Sequence, residues 1–160
     1  MKNLIFVDCE ATGPCPGKGV LTEFGAIVYD TRESFHGVLY DSRPSVNPAL
    51  SEELGNPRDA VEVFSAFSEF LKRNCKGRPI FVSDNPAFDF QWINYGFHHA
   101  IGENPFGHSG RRISDFYAGL KREWQDTQSW KTWRKTPHDH NPVNDAMGNV
   151  EAFEEILKLV

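Results

Sequence analysis

The sequence predicts a mixed α/β fold, and the order of its segments is the main reason. Three strand-like segments come first, helical and strand-like segments then alternate, and a helix closes the pattern. A chain of 160 residues has room for one domain with one sizeable core, and its 13 Phe favour a folded globule. We find no internal repeat and no dividing linker, so the predicted domain covers residues 1–160.

The three strand-like segments fill the first quarter of the chain. Residues 3–9 form an apolar run that is typical of a central buried strand. A second run covers Glu23 to Tyr29, and a weaker third run covers Phe35 to Tyr40 after an Asp-Thr-Arg-Glu turn. Strands at this spacing predict an antiparallel meander.

The remaining elements follow a Pro- and Ser-rich loop from Ser42 to Pro57. We expect Asn56 to cap a helix over residues 58–75, with Pro57 at its first position and Gly77 closing it. The apolar residues of that helix recur at helical spacing: Ala60, Val63, Phe64, Phe67 and Leu71. The elements predicted after it are a strand over 79–83, a helix over 87–98, a strand over 112–114, a helix over 115–124 and a last helix over 143–159. The core-facing residues of the last helix are Ala146, Val150, Phe153, Ile156 and Leu157.

Composition narrows the classes of function. A net charge of −5 argues against binding nucleic acid through a basic face, but acidic residues that hold divalent cations would invert the local field. Three cysteines at irregular spacing make no disulfide framework and favour a reducing compartment. The apolar runs are too short to span a bilayer, and the N-terminus turns acidic before a signal-peptide core could form. We therefore expect a cytoplasmic protein without a membrane partner.

Asp8 and Glu10 stand two residues apart at the end of the first predicted strand. Because side chains alternate faces along a strand, both carboxylates point the same way and Cys9 points to the other face. Two such acids repel each other unless a cation lies between them, and Mg²⁺ or Mn²⁺ would supply that charge. Two solvated acids at a strand end are the alternative, and the pair taken alone favours it.

Three segments taken together favour metal binding by Asp8 and Glu10 over two solvated acids. They are Phe6-Val-Asp-Cys-Glu-Ala-Thr-Gly13, Asn85-Pro-Ala-Phe-Asp89 and His140-Asn-Pro-Val-Asn-Asp145. They resemble, in order, the three motifs of the DEDD-type 3′→5′ exonucleases in their His-containing variant, DEDDh. The resemblance implies a ribonuclease-H-like fold, with a mixed five-stranded sheet that is antiparallel in its first three strands, then parallel, and flanked by helices.

The resemblance also implies roles for individual residues. Two divalent cations, Mg²⁺ or Mn²⁺, would be held by Asp8, Glu10, Asp89 and Asp145, with Asp8 bridging both and Asp89 acting directly or through water. His140 would be the general base that deprotonates the attacking water. The 3′-terminal nucleotide would be contacted by Ala11, Thr12, Asn85 and Phe88. Family members often place a wedge residue and a group near the 3′-hydroxyl at the positions of Leu21 and Glu23.

Neighbouring residues compete for two of these roles. Asp84 lies five residues before Asp89, but the Asn-x-x-Phe-Asp pattern favours Asp89. His138 lies two residues before His140, and only His140 has the family spacing to Asp145, so we expect His138 to be a loop histidine or to support a ligand. The glycine-rich stretch after Thr12 lacks the spacing and the hydroxyl residue of a phosphate-binding P-loop, and we expect an ordinary loop there.

A basic and aromatic segment, Lys121–Lys135, precedes His140. It contains five basic and two acidic residues, and it also contains Trp124, Trp130 and Trp133. Aromatic rings for base stacking and cations for phosphate suit a single-stranded substrate. The alternative, favoured for the tryptophans, is that they fill the core while the cations stay solvated. Contact with substrate is favoured for Lys131, Arg134 and Lys135.

The predicted function is a 3′→5′ exonuclease that releases nucleoside 5′-monophosphates from single-stranded nucleic acid with a free 3′ end. RNA is favoured over DNA, because compact relatives often act on RNA and the Ser114–Leu120 segment resembles a small exoribonuclease branch. Many relatives are homodimers, so a homodimer is an expectation from the resemblance. The alternatives are a related metal-dependent endonuclease and a non-catalytic binding module with this fold.

Overall fold

The computed structural model describes residues 2–39 and 58–160 of the chain. Its five strands are β1 (Leu4–Ala11), β2 (Leu21–Val28), β3 (Ser34–Val38), β4 (Ile80–Ser83) and β5 (Gly110–Arg112). They form one sheet in the order β3-β2-β1-β4-β5. Strands β1 to β3 pair antiparallel, whereas β4 pairs parallel with β1 and β5 pairs parallel with β4. The predicted mixed sheet is confirmed.

Four α-helices occur in the described ranges: α1 (Ala60–Asn74), α2 (Pro86–Ile101), α3 (Ile113–Lys121) and α4 (Pro142–Leu157). A short 3₁₀ helix, Ser129–Trp133, lies between α3 and α4. None of these helices is long and apolar enough to cross a membrane.

Different helices cover the two faces of the sheet. Because side chains alternate along β1, successive residues of this strand pack against opposite sets of helices. Ile5, Val7 and Cys9 pack toward α1 and α2, whereas Leu4 and Phe6 pack toward α3 and α4. Rings with centroids 4.9–6.3 Å apart fill much of the first face: Phe24, Phe35, Phe64, Phe67, Phe70, Phe97 and Phe106. The predicted inner face of α4 is confirmed, with Leu157 only partly buried.

The structure corrects several predicted boundaries. Helix α1 begins at Ala60, and its cap is Asp59, whose carboxylate accepts a hydrogen bond from the Val61 N–H at 2.8 Å. The predicted loop over 42–57 and cap at Asn56 lie outside the described residues. Strand β5 ends at Arg112, where parallel pairing with β4 stops, and α3 begins at Ile113. An isoleucine suits a strand and a helix equally, so the sequence at this position does not distinguish them. Only the contacts of Ile113 with distant parts of the chain decide that it belongs to α3.

Candidate active site

The carboxyl end of β1 carries the first two predicted ligands. Asp8 lies opposite Gly25 and Glu10 opposite Glu23 on β2. Both acidic side chains project toward the face that α4 covers, because they continue the alternation of Leu4 and Phe6. This end of β1 is also the end to which the parallel strand β4 delivers Asp89.

Helix α4 brings Asp145 to the same place. Asn141 caps the helix by accepting hydrogen bonds from the N–H groups of Val143 and Asn144, and Pro142 occupies its first turn. A Cβ at Gly25 would lie 2.3 Å from the Pro142 carbonyl carbon, so only glycine lets the start of α4 pass this close to β2. The first turn of α4 therefore reaches Asp8, and Asp145 enters the cluster nearly fully buried.

Oxygen atoms of Asp8, Glu10 and Asp145 lie within 4.8 Å of one another, and we call these three residues the carboxylate group. Burial and then the charges of the surrounding carboxylates raise the pKa of Asp8 to about 9. Burial also raises the pKa of Glu10, against the opposing effect of His140. Asp145 Oδ2 is buried and has no hydrogen-bond partner among the described residues. Clustered oxygen ligands with an unpartnered carboxylate oxygen fit a divalent cation.

Asp89 stands slightly apart from the carboxylate group. It is 4% exposed in the first turn of α2, and its Oδ1 accepts a hydrogen bond from the Cys9 N–H at 3.1 Å. Burial raises its pKa to about 7, and its charge contributes to the raised pKa of Asp8. Asp89 is thus tied to β1 between the two acidic positions, beside the carboxylate group.

The loop before α4 brings two histidines to the carboxylate group. His140 has a left-handed backbone, with φ of 62°, and its Nδ1 lies 3.7 Å from Glu10 Oε1. His138 Nδ1 lies 2.8 Å from Asp145 Oδ2. The motif spacing predicted the position of His140, whereas the nearness of His138 to Asp145 follows only from the loop conformation.

Asp84 has a different set of partners from Asp89. Its carboxylate accepts a hydrogen bond from Ser114 Oγ at 3.2 Å and pairs with Lys131 Nζ at 2.6 Å. Arg134 also approaches it, at 3.7 Å. Asp84 therefore connects β4 to α3 and to the 3₁₀ helix, and a structural role accounts for its charge.

The predicted nucleotide contacts at the β1–β2 end lie close together. Ala11 pairs with Leu21 just after an irregularity in β1, and the Thr12 hydroxyl accepts a hydrogen bond from the Val20 N–H. Glu23 is 5% exposed and lies 2.6 Å from His36 Nε2. His36 is not among the predicted site residues, although β2–β3 pairing makes it a diagonal cross-strand neighbour of Glu23.

The two predicted contacts on α2 flank Asp89. Asn85 is exposed at the start of the helix, and its side chain makes no capping hydrogen bond. Phe88 is partly buried, with its ring centroid 6.1 Å from that of Trp92. Their contact with a nucleotide stays a prediction.

The tryptophans of the basic segment differ in burial. Trp130 is fully buried, and its Nε1 donates to the Thr127 carbonyl oxygen at 3.0 Å. Trp133 packs edge-on against Tyr117. The favoured core alternative is confirmed for these two and is wrong for Trp124, which is 76% exposed and so leaves the stacking alternative open for that residue.

The three predicted phosphate-binding cations also differ. Lys131 is paired with Asp84, and the Arg134 side chain is 12% exposed and donates to Asn149 Oδ1 at 2.5 Å. Lys135 is exposed, and its backbone N–H donates a hydrogen bond to Glu151 Oε2 at 2.8 Å. Arg134 is therefore part of the packing against α4, while contact of the exposed Lys135 with nucleic acid stays a prediction.

We expect the Lys131→Ala/Arg134→Ala/Lys135→Ala variant to bind single-stranded oligonucleotide more weakly and with a flatter salt dependence. For each phosphate that a cation no longer neutralises, the slope of log affinity against log salt should fall by about 0.7. The single Lys135→Ala variant separates binding from folding, because Arg134 also packs against α4. Fluorescence anisotropy in chelator over a salt series measures both, with the exposed Lys72→Ala as control. Unchanged slopes would remove these cations from the substrate surface.

The fold and the carboxylate group define a class of protein, a nuclease with an RNase H-like fold. Residues 5–153 match the family model RNase_T, described as exonuclease. The 3′-5′ DNA exonuclease Cap18 of Escherichia coli is 31% identical over an alignment of 171 positions, which covers 97% of this chain and 91% of that protein. The chain belongs to the RNase_T exonuclease family and is a 3′→5′ exonuclease of the DEDDh type.

Solved structures share the fold. The nuclease domain of 3′hExo, a DEDDh family member bound to rAMP, has a TM-score of 0.72 at 14% identity, over 97% of this chain and 91% of that one. The zinc-bound ExoI–ssDNA complex of E. coli has a TM-score of 0.61 at 15% identity, over 100% of this chain and 40% of that one. The family match and the similarity to Cap18 confirm the predicted exonuclease over the endonuclease and the binding module. DEDDh exonucleases depend on divalent metal, which the carboxylate group fits.

Proposed function

We propose that this protein removes nucleoside 5′-monophosphates one at a time from the 3′ end of single-stranded nucleic acid, with two Mg²⁺ or Mn²⁺ ions. The observation that carries the proposal is the carboxylate group, which holds three acidic side chains within 4.8 Å beside an imidazole. A cluster of this kind is costly for a fold and suits ions that contact phosphate. The domain that performs this function is proposed to span residues 1–160.

Each side chain has a task in this proposal. The ions would stabilise the charge of the attacking and leaving oxygens in an in-line displacement at phosphorus. Asp8, Glu10 and Asp145 would hold the ions, and Asp89 would support the second ion directly or through water. His140, whose side chain is 76% exposed, takes the proton of the attacking water.

Residues that flank the carboxylate group would contact the terminal nucleotide. Ala11, Thr12, Asn85 and Phe88 would orient the terminal nucleotide, with Leu21 and Glu23 beside its sugar. His36 would hold Glu23 in place for that contact, since the two side chains are 2.6 Å apart.

Single-stranded DNA is the substrate we propose first. Cap18, the relative that matches 97% of the chain, is named a DNA exonuclease. RNA remains the second candidate, from the resemblance of Ser114–Leu120 to an exoribonuclease branch. The burial of Ser114 between Asp84 and Trp130 gives that segment a structural role, which weakens the case for RNA.

The test uses 5′-labelled linear and internally labelled circular oligonucleotides of DNA and RNA, with Mg²⁺, with Mn²⁺ and with excess chelator. We expect linear strands to shorten stepwise from the 3′ end and to release 5′-monophosphates, with DNA degraded faster. A circle has no 3′ end and should stay intact. Cutting of the circle, or degradation that persists in chelator, would refute the proposal.

The homodimer stays a prediction. Sedimentation equilibrium over a concentration series measures it directly. A mass of one chain at every concentration would refute it.

A further inference from the structure

In the loop before α4, His138 and His140 face the carboxylate group, whereas Asp139 between them bonds to residues at the start of α4. Asp139 accepts hydrogen bonds from the Asn141 N–H at 3.0 Å and from the Asn144 side chain at 2.8 Å. These bonds turn Asp139 toward the helix and leave the flanking imidazoles against the carboxylate group. The ring centroids of His138 and His140 are 4.6 Å apart.

The two histidines and Asp145 form a second group of potential metal ligands, which shares Asp145 with the carboxylate group. One nitrogen from His138, one from His140 and one oxygen of Asp145 all lie within 4.8 Å of one another. Asp145 thus belongs to two groups: three carboxylates on one side, and two imidazoles with one carboxylate on the other.

The unpartnered oxygen of Asp145, which fits a cation in the carboxylate group, also faces His138. The Asp145 side chain is 1% exposed, and its Oδ2 makes no hydrogen bond to any described residue, although His138 Nδ1 is 2.8 Å away. A buried carboxylate oxygen without a donor costs free energy. A cation between this oxygen and the two rings would remove that cost.

Two imidazoles and a carboxylate favour Zn²⁺ over Mg²⁺, which prefers oxygen ligands and water. Ligand atoms about 2.0–2.2 Å from a tetrahedral zinc ion are about 3.3 Å from one another. The side chains of His138 and His140 are 54% and 76% exposed, so they have room to rotate by the small amount required. We propose that His138, His140 and Asp145 bind Zn²⁺, with a fourth position for water or Glu10.

Zinc at this site would inhibit the exonuclease, and this half of the proposal rests on the proposed function. A bound Zn²⁺ takes an Asp145 oxygen from the carboxylate group. It also takes the lone pair of His140 that would accept the proton of the attacking water. Occupancy of the zinc site and catalysis with Mg²⁺ therefore exclude each other.

Calorimetric titration of Zn²⁺ into the metal-free protein tests the site itself. We expect His138→Ala to raise the Zn²⁺ dissociation constant at least about tenfold, because one ligand is removed. The exposed His108→Ala should leave it unchanged. His138→Ala retains the whole carboxylate group, so its Mg²⁺ affinity reports whether the site still forms.

Imidazole ¹⁵N NMR identifies the ligands directly. Zn²⁺ should shift the ring signals of His138 and His140 more than those of the other four among the six histidines. Equal shifts of all six, or a Zn²⁺ affinity that His138→Ala leaves unchanged, would overturn the proposed site.

Inhibition is measured separately, with Mg²⁺ in excess and a labelled oligonucleotide. Zn²⁺ should inhibit the wild type, and half-inhibition of His138→Ala should require at least about tenfold more Zn²⁺, relative to its own activity with Mg²⁺. Equal sensitivity of the two proteins would overturn the inhibitory role. A wild type that is inactive with Mg²⁺ would refute the proposed function, while the calorimetry would still decide the zinc site.

Discussion

We expect the Asp8→Asn variant to lose more than about 100-fold in exonuclease activity and yet to unfold at a higher temperature than the wild type without metal. Loss of a group that only supports a metal ligand typically costs about 10–100-fold, so the loss of a ligand should cost more. Asp8 lies at the centre of the site, within 4.8 Å of Glu10 and Asp145 at their nearest oxygens. Asp145→Asn should inactivate the enzyme similarly.

The gain in stability follows from the pKa of Asp8. Its pKa is raised to about 9 in the folded metal-free protein, mainly by burial, and is ordinary in the unfolded chain. The folded state therefore binds more protons, and the wild type loses stability as pH rises from about 4 toward 9. Asp89, with a pKa of about 7, adds to this loss in the lower part of the range. The neutral amide that replaces the carboxyl group in the variant removes the contribution of Asp8.

Thermal unfolding in chelator at several pH values measures this effect. At pH 8 we expect the variant to melt several degrees above the wild type, since about 1 kcal/mol corresponds to about 2–4 °C in a chain of this size. Added Mg²⁺ should stabilise the wild type more than the variant. Asp115→Asn, at an exposed position, is the matched control. An active Asp8→Asn variant, or one that melts lower at every pH, would contradict the assignment.

The His140→Gln variant should lose about 10²–10⁴-fold in kcat, the usual contribution of a general base. The side chain is 76% exposed, so the substitution should leave the fold and the melting temperature nearly unchanged.

Single-turnover rates over a pH series measure this loss. His108→Gln, at an exposed histidine elsewhere, is the control for the substitution itself. His138→Gln compares the two neighbouring histidines, and we expect it to have the smaller effect on kcat. If the His138→Gln variant were inactive while the His140→Gln variant kept the wild-type rate, His138 and not His140 would be the general base.

The network around Asp84 explains why the basic segment only partly follows its prediction. Cations and aromatics in one segment can bind a strand of nucleic acid or can hold the segment to its own domain. Lys131 and Arg134 approach Asp84, and Trp130 is fully buried, so these three hold the segment in place. Trp124 and Lys135 are exposed, and they are the residues on which a substrate-binding role now depends.

The sequence by itself determined the local parts of the site. Alternation along β1 places Asp8 and Glu10 on one side, and Asn141 with Pro142 starts α4 so that Asp145 falls in its first turn. The order of strands and helices was sufficient to predict the mixed α/β class, while the arrangement of the five-stranded sheet came from the resemblance to the DEDDh exonucleases. These features depend on a few consecutive residues, whose backbone geometry and capping hydrogen bonds act over short distances.

Only the tertiary structure decided how these parts meet. Gly25 lets α4 approach β2, the turned Asp139 sets His138 against Asp145, and β3 brings His36 to Glu23. Each contact joins segments through pairing or packing that no local pattern encodes. The strand–helix boundary at Ile113 was missed for the same reason, because an apolar residue there satisfies a strand and a helix equally until its neighbours across the fold are known.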